Sequence, residues 1–357
     1  MVNERLDNVS FLRLKTQFEN VGDALINREL LRKISSYSEI YIDTSKAPIH
    51  FSEDVINLSG YNGTVKHIKY GFVEVIYRSI SISLKGQRVY YFFLPSGIGG
   101  EKSRLSFATG TMINCAYRFM ALFGVNFVHL GASYSGLGRR ASALLKSRLR
   151  LTKMHLVRDS GTVLHLEELR LRCDGLVPDM SFGLYAKEPK SMDKDAIAFS
   201  FRVDRGEQER NSVENFVDGI VAQCSDEHPL LFISQVRRDD AFMRHLAKKY
   251  GHRPDVQFLK AMSIEETFDK YGRASAIYSN RLHSLLMGAY MGAAPVPVVD
   301  NHKDRKIISI FGDIGLAENI VNVGDLPEKK PRLAYINRRL CFDANAKLDQ
   351  AVQAVFH

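Results

Sequence analysis

The chain has 357 residues, of which 45% are hydrophobic and 25% are charged, and its formal net charge is +9. This composition excludes a disordered or collagen-like chain, and the length is natural for two domains. The positive charge indicates an acidic partner, which can be nucleic acid, an anionic membrane face, or a phosphorylated or carboxylated small molecule.

The cysteine pattern and the N-terminus indicate a cellular compartment. The four cysteines lie far apart, and no pair has metal-ligand or redox spacing: Cys115, Cys173, Cys224 and Cys341. We expect reduced thiols, which favours the cytoplasm. The first residues lack the apolar segment of a signal peptide, and no apolar run approaches the roughly 18 residues that span a bilayer. Any membrane contact is therefore expected to be peripheral, at the inner face.

The first half of the chain alternates apolar runs with helical patterns. Predicted strands are "VSFLRL", "EIYIDTS", "YYFFLPS", "VNFVHLGAS" and "MHLVRDSG", and predicted helices include "ENVGDALINRELLRKI" and "TVLHLEELRL". Alternating residues between Val55 and Leu84 predict a β-hairpin insertion. Buried strands flanked by helices are typical of a mostly parallel α/β sheet.

A polar segment with a proline, residues 187–196, is the predicted linker. A second α/β series follows it, with the strand-like runs "IAFSFR", "LLFISQVRRDD", "DVQFLK" and "ASAIYS" and a helix that begins with a capping box at Ser263 and Glu266. We therefore predict two α/β domains around a cleft. Their bounds are 1–186 and 197–340, and a closing helix occupies 341–357.

The stretch "SNRLHSLL" places two potential cations at the start of a predicted helix. Ser279 or Asn280 is the predicted cap, so that Arg281 and His283 fall in the first turn. Cations are unfavourable there by roughly 0.3–1 kcal/mol each, unless an anion binds among them. Helix N–H groups and Arg281 would then hold a phosphate or carboxylate. The alternative is an exposed arginine and a capping histidine on an ordinary helix.

Other strand ends carry candidate residues, because ligands of open α/β sheets bind beyond the carboxyl ends of the strands. Asp23 is either a helix N-cap or a carboxylate that faces the cleft, where it holds a sugar hydroxyl or acts as a base. Glycine-rich stretches let the backbone approach a ligand, or are plain tight turns. The residues concerned are Asn20 and Gly22 before Asp23, then Gly97, Gly99 and Gly100, and Ser133 in "GASYSGLGRR".

Three basic features of the sequence each allow a structural and a functional interpretation. Arg158 and Asp159 form a local ion pair or part of a site. The run from His302 to Lys306 is a solvated charge cluster, or it completes an anion pocket with Arg281. The segment from Gly138 to Lys153 is a basic surface helix, or it lies on an anionic membrane face or on nucleic acid, although no nucleic-acid motif matches.

The order of these blocks resembles that of the polysaccharide pyruvyl transferase family. The region from Ser279 to Leu316 is similar to the family's Arg-Leu-His helix start, its small-residue helix, its strand with glycine and proline, and its lysine, here Lys306. Upstream, "NVGDALI", "PSGIGG", "LVRDSGTVLHL" and "VPDMSF" resemble further blocks. The chain departs from the family in the loop from Gly131 to Gly138, around Lys306 and before Tyr90, and these departures concern acceptor specificity.

The resemblance implies a GT-B-like fold of two Rossmann-like domains and an enzyme that uses phosphoenolpyruvate. Such an enzyme transfers the enolpyruvyl group to two hydroxyls of a glycan sugar and forms a pyruvate ketal, in bacterial exopolysaccharide or cell-surface polysaccharide biosynthesis. The acceptor would lie on the N-terminal domain and phosphoenolpyruvate on the C-terminal domain. A lipid-linked oligosaccharide and an anionic membrane are compatible partners. The scheme requires no metal, no further cofactor and no nucleic acid.

The same resemblance gives the candidate residues their roles. His283 is the expected general acid, and Asp23 is the candidate that activates or orients the acceptor. The expected donor ligands are Arg281, Arg158, Lys306, Ser279 and Asn280. The expected acceptor or cleft-lining residues are Asn20, Gly22, Gly97, Gly99, Gly100 and Ser133.

Two other functions fit the same architecture. The first is a GT-B glycosyltransferase that uses a nucleotide-sugar donor, which release of a nucleotide rather than phosphate would reveal. The second is a non-catalytic protein that binds glycans or polyanions, for which we expect salt-sensitive binding and no change in the mass of the acceptor.

Overall fold

The computed structural model describes residues 7–57, 65–225, 228–325 and 333–357, and it divides the chain into two compact units. Unit 1 comprises the described residues of Met1–Phe18, Asp23–Gly183 and Ala344–His357. Unit 2 comprises those of Glu19–Gly22 and Leu184–Asp343. The short segment Glu19–Gly22 therefore belongs to unit 2, although it lies between two parts of unit 1.

Unit 1 is built on an eight-stranded sheet in which every recorded pairing is parallel. Its strands are β1 (Asn8–Arg13), β2 (Glu39–Asp43), β3 (Val65–Ile68), β4 (Arg88–Phe93), β5 (Gly97–Gly99), β6 (Val125–Ser135), β7 (Thr152–Val157) and β8 (Gly175–Leu176). The spatial order is β3-β2-β1-β4-β6-β7-β8, and β5 pairs with the end of β6. The strand order reverses between β1 and β4, which makes a doubly wound sheet.

The helices of unit 1 connect these strands. They are α1 (Val21–Ile34), α2 (Ile49–Ile56), α3 (Gly71–Leu84), α4 (Arg104–Leu122), α5 (Arg139–Leu149) and α6 (Ser160–Glu168). The last residues of α12 (Arg338–Phe356) also pack here. Lys33 Nζ lies 2.6 Å from Asp349 Oδ1, and the ring of Phe356 stacks on Tyr37.

The predicted hairpin between Val55 and Leu84 is wrong. The structure places "VEVIYRSISISL" in helix α3, and residues 58–64 lie outside the described part. Val75 and Ser79 are buried four residues apart, and Glu74 pairs with Arg78 at the same spacing, 2.6 Å apart. The Ser-Ile alternation fits a period of two, but the core contacts follow the helical period.

Unit 2 contains a six-stranded parallel sheet. Its strands are β9 (Ala196–Ser200), β10 (Leu230–Ser234), β11 (Val256–Lys260), β12 (Ala274–Ser279), β13 (Ala294–Val299) and β14 (Val321–Asn322). Its helices before α12 are α7 (Glu207–Val221), α8 (Asp240–Lys249), α9 (Ile264–Gly272), α10 (Leu282–Tyr290) and α11 (Arg305–Asp313). The order β11-β10-β9-β12-β13-β14 is that of a Rossmann sheet. The prediction of two parallel α/β domains is confirmed.

Three local features concern the cap of α9, the cysteines and the apolar character of the helices. Ser263 caps α9 by accepting a hydrogen bond from Glu266 N, as its sequence pattern predicts. All four cysteines are free thiols. Within the described residues, no helix combines the length and the apolar character that crossing a membrane requires.

A buried polar chain lies between β6 and β7 in unit 1. His129 Nε2 is 3.1 Å from Leu94 O, and its Nδ1 is 3.2 Å from the Tyr134 hydroxyl. The same hydroxyl is 3.1 Å from His155 Nε2, and His155 Nδ1 is 2.9 Å from Arg172 O. Burial lowers the pKa of His129 well below its ordinary value of 6.5, and the charges of His155 and nearby arginines lower it further. His129 is therefore neutral in the folded chain.

We predict that unit 1 loses stability as the pH falls through the ordinary histidine value. The unfolded chain binds a proton at this residue below about pH 6.5, whereas folded His129 resists it, so acid favours unfolding. Thermal unfolding at pH 7.5 and pH 5.5 should show a midpoint drop of several degrees. His129→Gln should reduce that drop, and a matched change of the exposed His302→Gln should not. An equal drop in all three proteins would contradict the assignment.

Candidate active site

The sheet of unit 2 reverses its strand order between β9 and β12, and their carboxyl ends meet at this point. Open α/β sheets bind ligands in the crevice at such a reversal. Ser200 ends β9, and Ser279 ends β12 directly opposite it. The stretch that carries Arg281 and His283 follows Ser279 and therefore lies at the switch point of the sheet.

Ser279 and Asn280 hold the loops that leave the two strands. The Ser279 hydroxyl donates to Ser200 O and accepts from Arg281 N at 2.9 Å. Asn280 accepts from Arg202 N at 2.8 Å and donates to Arg202 O at 2.9 Å. Both side chains are buried. They fix the switch point, and neither caps the helix as the sequence predicts, because the N-cap residue of α10 is Arg281 itself.

Arg281 forms a buried ion pair with Asp239, in which its Nε donates to the carboxylate. Asp239 follows β10, the other neighbour of β9, so the pair joins loops from both sides of that strand. Burial raises the pKa of Asp239, and the hydrogen bond and charge of Arg281 lower it again in part. Breaking a buried ion pair costs about 3–5 kcal/mol, so this contact holds the loop firmly.

The guanidinium of Arg281 keeps one donor available for a ligand. Its Nη2 is buried and has no hydrogen-bond partner among the described residues. No side-chain hydrogen bond caps α10, whose N-terminal N–H groups start at the same place. An unsatisfied guanidinium N–H beside an uncapped helix N-terminus favours an anion. This geometry supports the anion interpretation of the first turn over an exposed surface arginine, since only 8% of Arg281 is exposed.

His283 lies in the first turn of α10, directly against Gly22. A Cβ atom on Gly22 would lie 2.6 Å from His283 Cβ and 2.7 Å from its Cγ, and still closer to Nδ1. The segment of Gly22 is held by an antiparallel bridge between Asn20 and Val236, and Asn20 Oδ1 accepts from Gly22 N at 3.1 Å. Two blocks that are far apart in sequence therefore meet at His283. Residue 22 must be glycine, because any larger side chain would overlap the histidine.

Asp23 is not the N-cap of α1, because the helix begins at Val21 and Asp23 stands in its first turn. Its carboxylate accepts hydrogen bonds from the Thr16 hydroxyl and from Gln17 N. These contacts lie within unit 1, and they fix the orientation of the carboxylate.

Arg158 pairs with Asp179 and not with its neighbour Asp159. Arg158 Nη1 lies 2.7 Å from Asp179 Oδ2, and both side chains are almost fully buried. Asp159 instead caps α6 by accepting from Thr162 N at 2.7 Å. The "LVRDSG" and "VPDMSF" blocks therefore meet through one ion pair. Asp179 compensates the charge of Arg158 inside unit 1, and the role of Arg158 as a donor ligand stays a prediction.

The glycine-rich stretch after β4 forms the short strand β5 at the end of β6. Gly97 pairs with Ser133, and a Cβ on Gly99 would lie 2.5 Å from Ser135 O. Gly100 has a φ of +76° and open space around it. Ser133 is buried, with its hydroxyl 3.4 Å from that of Thr162. Gly99 thus allows close packing of strands, while Gly100 makes the turn that follows them.

The basic run after β13 contains acidic as well as basic residues. Lys303 pairs with Asp300 at 3.1 Å, and Asp304 pairs with Arg205 at 2.8 Å. Lys306 stands in the first turn of α11 and is partly exposed. A pocket lined by Asn280, these acids and Lys303 adjoins the switch point. The run is therefore a mixed charge cluster rather than a purely basic one.

The structure brings Arg281, His283, Ser279, Asn280 and Gly22 together at the switch point of unit 2. Sequence reasoning missed Asp239 and Arg202, which hold this group. The sequence does place Asp239 at a strand end, because "RRDD" follows the run that forms β10. Its pairing with Arg281 can be predicted only when the order of the strands in the sheet is known. Among the described residues, no group of three or more His, Cys, Asp or Glu side chains could hold a metal ion.

A protein-family model matches most of the chain. The family model described as Polysaccharide pyruvyl transferase matches residues 20–302, a range that contains Gly22, Arg281 and His283. The search of curated proteins finds no match.

Solved structures with a similar fold cover nearly the whole chain at low identity. HepE from Anabaena, in complex with UDP and glucose, has a TM-score of 0.58 and 9% identity over 98% of each chain. A UDP-GlcNAc 2-epimerase from Methanocaldococcus jannaschii has a TM-score of 0.56 and 10% identity over 98% of this chain and 99% of its own. At this identity the similarity shows the fold, which is GT-B-like.

We predict that Gly22→Ala reduces transferase turnover about 100-fold, because a displacement of about 1 Å at a reacting group has an effect of that size. The new methyl group would overlap the Cβ of His283, so the start of α10 must move. Steady-state kinetics of both proteins measure the effect. Gly312→Ala is the matched control, since its Cβ meets nothing within 4 Å. Wild-type turnover in Gly22→Ala would contradict the placement of His283.

Proposed function

This chain belongs to the polysaccharide pyruvyl transferase family, and we propose that it transfers the enolpyruvyl group of phosphoenolpyruvate to two hydroxyls of a glycan sugar. The product is a pyruvate ketal, and phosphate is released. The observation that carries the proposal is the position of the family's Arg-Leu-His block at the switch point of a Rossmann sheet. No metal or cofactor enters the reaction, in which phosphoenolpyruvate is a co-substrate.

Phosphoenolpyruvate carries a carboxylate and a phosphate on a small frame, so its binding site requires several donors. We assign one anionic group to Arg281 Nη2 and the N-terminus of α10. Asp239 fixes the guanidinium for this contact, and Ser279 and Asn280 fix the loop rather than touch the donor. Lys306 is the candidate for the second anionic group.

The reaction begins when His283 donates a proton to the enol carbon of phosphoenolpyruvate. The neighbouring carbon becomes oxocarbenium-like, and the first sugar hydroxyl attacks it and loses its proton. The bond to the phosphate oxygen then breaks, phosphate leaves, and the second hydroxyl closes the ketal. Histidine suits the first step because it exchanges a proton near neutral pH. Its packing against Gly22 holds the ring in one position.

Asp23 is the proposed residue that orients or activates the acceptor hydroxyl. The Thr16 hydroxyl and Gln17 N donate to its carboxylate and hold it in one orientation. Gly100 and the turn after β5 are proposed to line the acceptor side, where backbone groups can approach a sugar.

A nucleotide-sugar glycosyltransferase is the second candidate. The solved structures of similar fold favour it, because HepE was solved with UDP and glucose. Such an enzyme would also bind its donor at the switch point of a Rossmann sheet. The two candidates differ in the leaving group, which is phosphate in one and a nucleotide in the other.

The test is mass spectrometry of lipid-linked and free glycans after incubation with phosphoenolpyruvate. We expect a gain of one pyruvate minus one water in the acceptor, together with an equal amount of released phosphate. His283→Gln should still bind phosphoenolpyruvate but should lose turnover by about 100-fold or more, the size of a lost acid catalyst.

The exposed His252→Gln serves as the matched control and should keep its turnover. Transfer of a sugar from a nucleotide donor, with no pyruvate gain on any glycan, would favour the second candidate. Full turnover of pyruvate transfer in His283→Gln would contradict the role of His283 as the acid, but it would not contradict the proposed reaction.

A further inference from the structure

Helix α4 exposes a continuous apolar stripe along its full length. The stripe has the three-and-four spacing of one helix face and consists of Leu105, Ala108, Met112, Cys115, Phe119 and Leu122, all of them exposed. Leu105, Met112 and Leu122 are 79%, 74% and 83% exposed. The core-facing side of the helix is different, with Asn114, Tyr117 and Met120 buried. A soluble protein rarely exposes so long an apolar face without a use for it.

The neighbouring helix α3 widens this surface. It packs beside α4 and exposes Val73, Tyr77 and Leu84, which are 76%, 73% and 69% exposed. Tyr70, at its N-cap, is 82% exposed. Leucine, tyrosine and phenylalanine on such a face are the residues with which proteins enter a membrane interface.

Helix α5 adds positive charge to the apolar stripe. It packs tightly on α4: a Cβ on Gly110 would lie 2.6 Å from a Leu144 methyl carbon, and Asn114 Nδ2 donates to Leu144 O at 2.9 Å. Neither helix contains an aspartate or a glutamate. Five basic residues on the two helices and directly after α5 are exposed, and none of them forms an ion pair among the described residues: Arg104, Arg118, Arg139, Lys146 and Arg150.

We propose that the stripe of α4, with the basic residues of α5, docks unit 1 onto a bilayer that contains anionic phospholipid. Apolar side chains would enter the boundary between headgroups and acyl chains, and the uncompensated cations would pair with lipid phosphates around them. A groove between the helices, lined by Phe107, Cys115, Arg118 and Leu144 among others, lies within the same surface.

The combination of positive charge and apolar surface favours a bilayer over a second copy of this chain or a nucleic acid. A second copy of this chain would bring the same five cations against this surface, where like charges repel. A nucleic acid would compensate the cations but would leave the apolar stripe exposed to water. An anionic bilayer satisfies both features at once. The binding does not depend on the transferase reaction, and it would place the enzyme where a lipid-linked acceptor is found.

The experiment is co-sedimentation of the full chain with vesicles of phosphatidylcholine, with and without phosphatidylglycerol. We expect binding to the anionic vesicles that weakens as salt increases, and little binding to neutral ones. Met112→Glu with Leu122→Glu should reduce the anionic binding about tenfold or more, because it removes apolar contacts and adds repulsion. Arg139→Gln with Lys146→Gln should also reduce it.

The matched control is Ile49→Glu with Leu164→Glu, which adds the same charge at apolar side chains of unit 1 that are 76% and 62% exposed. It should bind vesicles nearly as the wild type does, and circular dichroism checks that all variants are folded. Equal binding to neutral vesicles, or no loss in the α4 variant, would overturn the proposal. So would a concentration-dependent dimer that the α4 variant abolishes, which would identify a second copy as the occupant.

Discussion

The buried ion pair between Arg281 and Asp239 determines the arrangement of the candidate site. It joins the loops after β10 and β12 across the end of β9, where the strand order of unit 2 reverses. The same β10 loop holds the Gly22 segment, through Gln235 and Val236. Hence one charge pair fixes the guanidinium, the start of α10 and the residues that pack on His283. If Asp239 were lost, a buried arginine would remain without its counter-charge, at a cost of several kcal/mol.

The chemical character of the site depends on the hydrogen-bond donors that have no partner within the described part of the fold. Most polar groups at the switch point are used by the protein itself, as in the two hydrogen bonds between Asn280 and Arg202. Arg281 Nη2 has no hydrogen-bond partner among the described residues and no side-chain hydrogen bond caps α10, and both features suit an anion. HepE was solved with UDP-glucose, and the epimerase from Methanocaldococcus jannaschii was solved with UDP-GlcNAc and UDP, so a similar fold does not by itself determine the donor of this chain. Our proposal of phosphoenolpyruvate rests on the family and on the position of the Arg-Leu-His block.

Much of this arrangement follows from the sequence. Apolar runs that alternate with helices predict two parallel sheets, and ligand sites at strand ends predict the position of Arg281 and His283. Three features do not follow. The Ser-Ile repeat of α3 fits the period of a strand and that of a helix, and only the burial of its residues in the structure decides between the two. The cap of α10 depends on where Ser279 and Asn280 bond. The partners Asp239 and Asp179 are distant in sequence from their arginines, so their pairing needs the strand order.

The most direct test of the account is calorimetric titration of the chain with phosphoenolpyruvate and, separately, with UDP-GlcNAc. We predict that phosphoenolpyruvate binds, and that Arg281→Lys weakens this binding about tenfold because a lysine cannot contact both Asp239 and the donor. UDP-GlcNAc should give no binding that depends on Arg281. Binding of the nucleotide sugar that Arg281→Lys weakens, with no binding of phosphoenolpyruvate, would contradict the central claim.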